Sequence, residues 1–287
     1  MGMKWKWSKP PVPLTNDKMA QMVFGNRRRP DALRGLVHDM SPFPVPGISG
    51  LTVTDANLRP YSIGGKLGVA DLKYGCPGFA GLAEFQSRIA PAQAKRWLHR
   101  MFRLGGEQLK AGDDYGLLPM VGLILVTHYR WLEGPEYRQY FSLRDNFQFR
   151  DYDGSPWMSV LQTAGAPVED DGTPWYKWSR VFLATEAEEL DELAETGGHG
   201  MSETVMSIRE LSADEAARRE AESYEYMRMD QDAREKASRA EGRDEGMEKT
   251  KREYVRQMLI LGLPIGQIVK ITGLTAQKIK KLATGPG

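Results

Sequence analysis

The stretch Ile63–Arg88, IGGKLGVADLKYGCPGFAGLAEFQSR, decides how the rest of the 287-residue chain is read. Two short alternating runs, Val69-Ala70-Asp71-Leu72-Lys73-Tyr74 and Gly81-Leu82-Ala83-Glu84-Phe85-Gln86, flank a Pro77-Gly78 turn signal. Pro pre-sets φ at the first central position of a turn, and Gly supplies the positive φ that a type II turn needs at the second. The spacing therefore predicts a β-hairpin folded at those two residues. Pairing about that tip sets Asp71 opposite Glu84. Because side chains alternate along a strand, Asp71, Lys73, Glu84 and Gln86 fall on a charged face and Ala70, Leu72, Ala83 and Phe85 on an apolar one. Carboxylates directly across a ladder repel, at a cost of about a few tenths to 1 kcal/mol. A hard divalent cation between them reverses the sign, and Mg2+ needs only one or two protein carboxylates, so Asp71 and Glu84 read as a metal-ligand pair. A bulge in the hairpin would shift the pairing by one residue and separate them.

An acid on one strand, a hairpin, then Glu84-Phe85-Gln86 on the next resembles the PD-(D/E)xK nuclease superfamily. With Gln86 in the usual Lys place, the chain is most similar to the Rpn family of recombination-promoting nucleases, also described as PD-(D/E)xK family transposases. Thr15-Asn16-Asp17 followed by Phe24-Gly25 is similar to the family's opening segment, and the run from Glu107 to Tyr115 to its helix and loop after the active strand. Leu211-Ser212-Ala213-Asp214-Glu215 and Glu241-Gly242-Arg243-Asp244-Glu245-Gly246 resemble its tail. The chain departs from the pattern at Gly64-Gly65, before Lys66, where the family usually carries acidic residues, and at Ala20-Gln21, where it often has Phe and Lys.

The resemblance implies an α/β fold: a restriction-endonuclease-like core with a central mixed sheet flanked by helices, plus a helical C-terminal tail. It implies a Mg2+-dependent DNA endonuclease associated with recombination or transposition. In that reading Asp71 and Glu84 hold Mg2+ with a backbone carbonyl of the Glu84 strand. Gln86 orients a water by hydrogen bonding, although an amide is neither a base nor a cation. Lys73 supplies the missing positive charge, and Asp17 is an accessory acid. The rival reading is a catalytically weak relative that serves as a DNA-binding or assembly protein. Gly64-Gly65 favour the rival and the intact Asp71, Glu84, Gln86 set opposes it.

Composition bounds the alternatives. With 39 Lys and Arg against 38 Asp and Glu, bulk charge does not announce nucleic-acid binding, so any electrostatic footprint is local. The single cysteine, Cys76, excludes an internal disulfide framework and suits a reducing cytoplasm. No stretch approaches the roughly 18 consecutive apolar residues of a membrane span, and the N-terminus lacks the apolar segment of a signal peptide, so a cytoplasmic protein is expected. The four histidines show no metal-ligand spacing, and neither GxSxG nor a P-loop is present.

Along the chain, Lys4-Trp5-Lys6-Trp7 and the prolines after it read either as a loose arm or as a nucleic-acid contact. Thr15-Asn16-Asp17 starts a helix running to Phe24-Gly25, and Asp31–Met40 reads as another. Arg27-Arg28-Arg29 between them suits a helix terminus or a phosphate contact. Leu51-Thr52-Val53-Thr54 is a candidate strand. Gln93, Arg96, Trp97, Arg100, Met101, Leu104 and Leu109 suit a helix over 91–110 lying across the sheet, its Arg and His residues turned away. Met120–Val126 has the unbroken apolar character of a strand covered on both faces, and Tyr137–Phe149 alternates as one or two more. Glu186–Ala194 is acidic and helical.

These patterns divide the chain into a nuclease-like domain (1–195), a charged helical connector (196–250) and a small helical module (251–287). Within that module Ile265–Leu282 has a helix, Gly turn, helix layout with Lys278, Lys280 and Lys281 on the second helix. It reads as a DNA-reading helix-turn-helix or as a packing and homo-oligomerisation element.

Overall fold

The computed structural model describes residues 6–54, 57–58, 68–89 and 92–284. The Lys4-Trp5 half of the N-terminal arm and the Gly64-Gly65-Lys66 departure lie outside the described residues. The chain forms two compact units, Met1–Ser223 and Tyr224–Gly287. In chain order the first carries α1 (Asp17–Phe24), α2 (Pro30–Met40), β1 (Thr52–Thr54), β2 (Asn57–Leu58), β3 (Gly68–Val69), β4 (Leu72–Cys76) and β5 (Phe79–Gln86). There follow α3 (Gln93–Gly106), β6 (Met120–Thr127), β7 (Arg138–Ser142), β8 (Trp157–Gln162), α4 (Pro174–Leu183), α5 (Ala187–Thr196) and α6 (His199–Ala213). Helices α7 (Glu215–Ile260), α8 (Ile265–Thr272) and α9 (Ala276–Thr284) complete the chain.

The hairpin folds at the expected tip. Gly78 has φ +85°, and β4 pairs with β5 from Leu72↔Ala83 to Cys76↔Phe79 without a bulge. A six-stranded mixed sheet, ordered β1-β4-β5-β6-β8-β7, grows from this pair, while β2 and β3 pair separately. β1, β4 and β5 run antiparallel to their neighbours, β5, β6 and β8 run parallel, and β7 is an antiparallel edge. Parallel neighbours need a crossover, and α3 supplies it between β5 and β6.

Both faces of the sheet are covered, as the apolar run of β6 foretells. On one face Leu82, Leu123 and Leu125 pack with Trp97, Met101 and Leu104 of α3. On the other, Phe85, Ile124 and Leu161 join Phe24 of α1, Leu36 of α2, Trp178 and Phe182 of α4 and Val205 of α6. The expected split of the hairpin into a charged and an apolar face is corrected in two respects. The Glu84 face is itself buried, and Ala70 lies with Leu82 and Trp97 rather than with Leu72. The cause is a bend at Asp71, between β3 and β4, which interrupts the alternation.

Glycines permit the close packing at the sheet's centre. Tyr74, Gly81, Gly122 and Trp157 are successive cross-strand partners on β4, β5, β6 and β8. A Cβ on Gly81 would come within 2.3 Å of the Tyr74 ring, and one on Gly122 within 2.3 Å of the Trp157 ring. The two rings thus lie over bare backbone, and Phe79 stacks on Trp157 with centroids 5.9 Å apart.

Helix α6 revises the expected domain boundary. It carries Met201, Val205 and Ile208 at helical spacing, all buried, and crosses α2 so closely that a Cβ on Gly200 would lie 2.5 Å from Gly35 Cα. It therefore belongs to the first unit, which extends through Ser223 instead of ending at 195. Arg29 clamps this crossing: its Nη1 donates to Glu203 at 2.7 Å, and Nε and Nη2 grip both oxygens of Glu210. This arginine is engaged within the fold, while Arg27 and Arg28 are exposed. The described part of the N-terminal arm is docked, with Trp7 Nε1 donating to Asp191 at 3.0 Å beneath the Arg209 guanidinium.

The second unit has its own small core of Val255, Ile268, Ile279 and Leu282. Gly262 ends α7 with φ +76°, its N–H on the Leu259 carbonyl and the Leu263 N–H on that of Met258, and Gly273 turns α8 into α9 at φ +69°. Exposed α7 is laced by ion pairs such as Arg234–Asp230 and Arg239–Glu235 at i,i+4. Among the described residues no helix is long and apolar enough to cross a membrane.

Gly122→Ala should lower stability by about 1–3 kcal/mol in urea unfolding, because the Trp157 ring must move or tilt. Gly50→Ala, whose Cβ would meet nothing within 4 Å, should change it by less than about 0.5 kcal/mol. Equal effects would dispose of the ring-over-glycine packing.

Candidate metal site at the end of the hairpin

The site forms where β4 begins and β5 ends. Asp71 sits at the bend, and its Oδ2 accepts the Phe85 N–H of β5 at 2.7 Å, which fixes the acid against the strand that carries Glu84. Glu84 faces α3 from the middle of the sheet, between β4 and β6, and is fully buried. The two acids are close enough that the Asp71 charge makes Glu84 harder to ionise. Gln86, two residues on, reaches back to Asp71 Oδ2 through Nε2 at a long 3.5 Å. The structure thus gathers Asp71, Glu84 and Gln86. The pair does not open to solvent at Glu84, because α3 closes over it.

Arg100 of α3 makes that closure, with its Nη1 on Glu84 Oε2. The expectation that α3 turns its arginines away from the sheet is therefore corrected at Arg100 and also at Arg103, which is buried. Lys73 does not supply the cation at the acids. Its Nζ pairs with Glu107 Oε2 at 2.7 Å, and both line a cleft of about 740 Å³ bounded by Cys76, Leu104 and Lys110, which neither Asp71 nor Glu84 lines.

Gln86 is held from both ends of its amide. Tyr129, just past β6, donates its hydroxyl to Gln93 Oε1 at 2.7 Å, and Gln93 Nε2 donates to Gln86 Oε1 at 3.1 Å. With Gln86 Nε2 directed at Asp71, the donors run in one direction from Tyr129 to the carboxylate. Burial pushes the Tyr129 hydroxyl up to about 12, so the head of the chain keeps its proton. Asp17 of α1, expected as an accessory acid, is buried and accepts from the Oγ of Ser87, the residue after Gln86, at 2.9 Å, and its charge is felt at Tyr129.

Sequence reasoning missed Arg100, Gln93 and Tyr129 as members of the site. Gln93 and Arg100 share the helical spacing of Trp97 and Leu104, so polar residues on a sheet-facing stripe were the available signal. Tyr129 had none.

Burial raises both acids. The Asp71 carboxyl moves from 3.8 to about 6 despite the Phe85 N–H and the pull of Arg100. Glu84 moves from 4.5 to about 8, through burial first and the Asp71 charge second, against Arg100 and Arg96. Among the described residues Asp71 Oδ1 takes no hydrogen bond, and Glu84 Oε1 is buried without a partner. One unengaged oxygen from each acid is a donor set that fits a hard divalent cation completed by water and substrate. No group of three or more His, Cys, Asp or Glu side chains gathers in a metal-holding arrangement among the described residues. Comparison with protein-family models, with curated proteins and with solved structures finds no match.

The raised acids set a pH dependence. Both bind their protons more tightly in the folded chain than in the unfolded one. Their contribution to stability is whole below 3.8 and 4.5 and is lost as the pH rises through about 6 for Asp71 and about 8 for Glu84. In a chelator, urea unfolding of the wild type should fall in free energy between about pH 4 and pH 9, and an Asp71→Asn/Glu84→Gln double variant should fall less. Parallel profiles for the two proteins would contradict the raised acids.

Proposed function

We propose that the protein is a metal-dependent endonuclease that hydrolyses phosphodiester bonds in DNA, of the PD-(D/E)xK kind, with a role in recombination or transposition. The observation that carries this reading is the pair of neighbouring acids, Asp71 at the bend that leads into β4 and the fully buried Glu84 on β5, each with one unengaged oxygen, beside an amide held in fixed orientation. Setting Asp71 beside the buried Glu84 works against folding whenever both ionise. The order of elements supports the same reading: a helix, three antiparallel strands, a crossover helix and a parallel strand, with Asp71 at the bend that leads into the second strand and Glu84 on the third.

Asp71 and Glu84 are the residues that would hold Mg2+. When bound, such an ion polarises a phosphodiester oxygen and makes a water acidic enough to attack at neutral pH. The protein's own part is positional. The Phe85 N–H fixes Asp71, the Tyr129–Gln93 pair fixes Gln86, and an amide so held can orient a water but cannot take its proton. Helix α3 excludes bulk water from Glu84, which strengthens every charge interaction there.

A second reading, a weakly catalytic relative that binds DNA or assembles with other chains, is favoured by one observation: Arg100 already neutralises Glu84. Incubation with supercoiled DNA and Mg2+ separates the two, since the second predicts a gel shift with no nicking.

Asp71→Asn should abolish Mg2+-dependent nicking. The Asn oxygen can still accept the Phe85 N–H, and a buried charge that repels Glu84 is gone, so melting without metal should be unchanged or slightly higher. Mg2+ should raise the melting temperature of the wild type and do so much less for Asp71→Asn. Wild-type nicking by the variant together with an equal Mg2+ response would remove Asp71 from the metal site.

A further inference from the structure

We propose that Arg100 is the phosphate-binding residue of this site, held on Glu84 while no divalent cation is bound and released to the substrate's phosphate when one binds. The inference rests on the reading of the site as a phosphodiester hydrolase and adds to it a named anion-binding group and the event that frees it.

The geometry of the ion pair is that of a substitute. Arginine presents five N–H donors in a planar fork, and its strongest pairing with a carboxylate uses two of them on two oxygens. Arg29 makes such a pairing with Glu210 and adds a third donor on Glu203. Arg100, by contrast, spends a single Nη1 on Glu84 Oε2 and leaves Oε1 buried and unpartnered, although Glu84 is fully buried and the Arg100 side chain only 14% exposed. A permanent bridge at this depth would satisfy both oxygens.

Two cations cannot share one carboxylate cheaply. A divalent cation held by Asp71 and Glu84 would share the Glu84 carboxylate with the guanidinium and repel it, so binding would loosen the arginine's hold. The side chain is long, comes from α3 and keeps part of its surface in solvent. Its planar fork matches phosphate oxygens as well as it does a carboxylate. Arg96, one helical turn earlier, is exposed, and its charge also reaches both acids. The two arginines therefore mark the side from which a polyanion approaches.

The test compares the full-length wild type, Arg100→Gln and Arg100→Lys. Melting is measured in EDTA and in Mg2+ without nucleic acid, and affinity for a fluorescein-labelled duplex DNA in the same two solutions. Arg100→Gln should melt lower in EDTA, where Glu84 loses its partner, and should gain more from Mg2+ than the wild type, because the competitor is gone. In EDTA the two should bind the duplex about equally. In Mg2+ Arg100→Gln should bind roughly tenfold more weakly, the order expected for one lost charge-assisted phosphate contact. Arg100→Lys, which keeps the charge without the fork, should recover the EDTA melting temperature but not the duplex affinity, and it serves if Arg100→Gln does not fold. A Mg2+ gain equal to or below the wild type's, or a loss of duplex affinity of the same size in both solutions, overturns the proposal. Absence of cleavage alongside the expected Mg2+ differences would sink the nuclease reading and leave the exchange standing.

Discussion

Two carboxyl groups set beside one another, that of Glu84 fully out of water, are the constraint around which the site is organised. Asp71 and Glu84 each need stabilising contacts that water would otherwise supply, and the chain provides them from three directions. The Phe85 N–H comes from the strand itself, Arg100 from the helix that covers it, and the Gln86 amide from the strand end. None comes from Lys73, whose ammonium is committed to Glu107. What these partners leave unsatisfied is one oxygen on each acid.

The scaffold keeps those contacts in register. The row Tyr74, Gly81, Gly122, Trp157 ties four strands together through rings that lie on glycine backbone, so β4, β5, β6 and β8 cannot slide without breaking ring contacts. Next to it, the parallel ends of β5 and β6 bring Gln86 beside Thr127 and the His128 N–H onto the Gln86 carbonyl, which sets Tyr129 within reach of Gln93. Ligand sites in sheets of this kind gather at the carboxyl ends of parallel strands, and the amide chain lies at such an end.

The sequence made the hairpin and its register legible because Pro77-Gly78 is a local signal and strand alternation does the rest. β6 was legible as an unbroken apolar run, and α1 by its Asn16 cap. β8 was not. Ser159 and Gln162 break its apolar pattern, and their partners, the Met40 carbonyl and the Trp131 and Leu132 N–H groups, are distant in the sequence. α4 was missed, and α6, read as part of a charged helical connector, was not seen to pack into the first unit, because Gly200 on α6 has meaning only once Gly35 lies against it. In the site, the two acids and Gln86 were legible and Arg100 was misplaced. A charged residue on a helix is usually turned to solvent, and only the buried Glu84 beneath it reverses that preference.

The chain of donors from Tyr129 to Asp71 has a polarity, and that polarity is shared. A hydroxyl has one proton to give, and each amide has an oxygen end and a nitrogen end, so turning Gln93 over would set its oxygen against that of Gln86 and oblige Gln86 to turn as well. Gln86 would then present an oxygen to the Asp71 carboxylate. The three groups behave as one two-position element, and a tyrosine proton that burial makes hard to remove favours the donating sense. Evolution at Gln93 or Tyr129 is therefore bound to Gln86: a change at one bears on which end of the Gln86 amide faces Asp71.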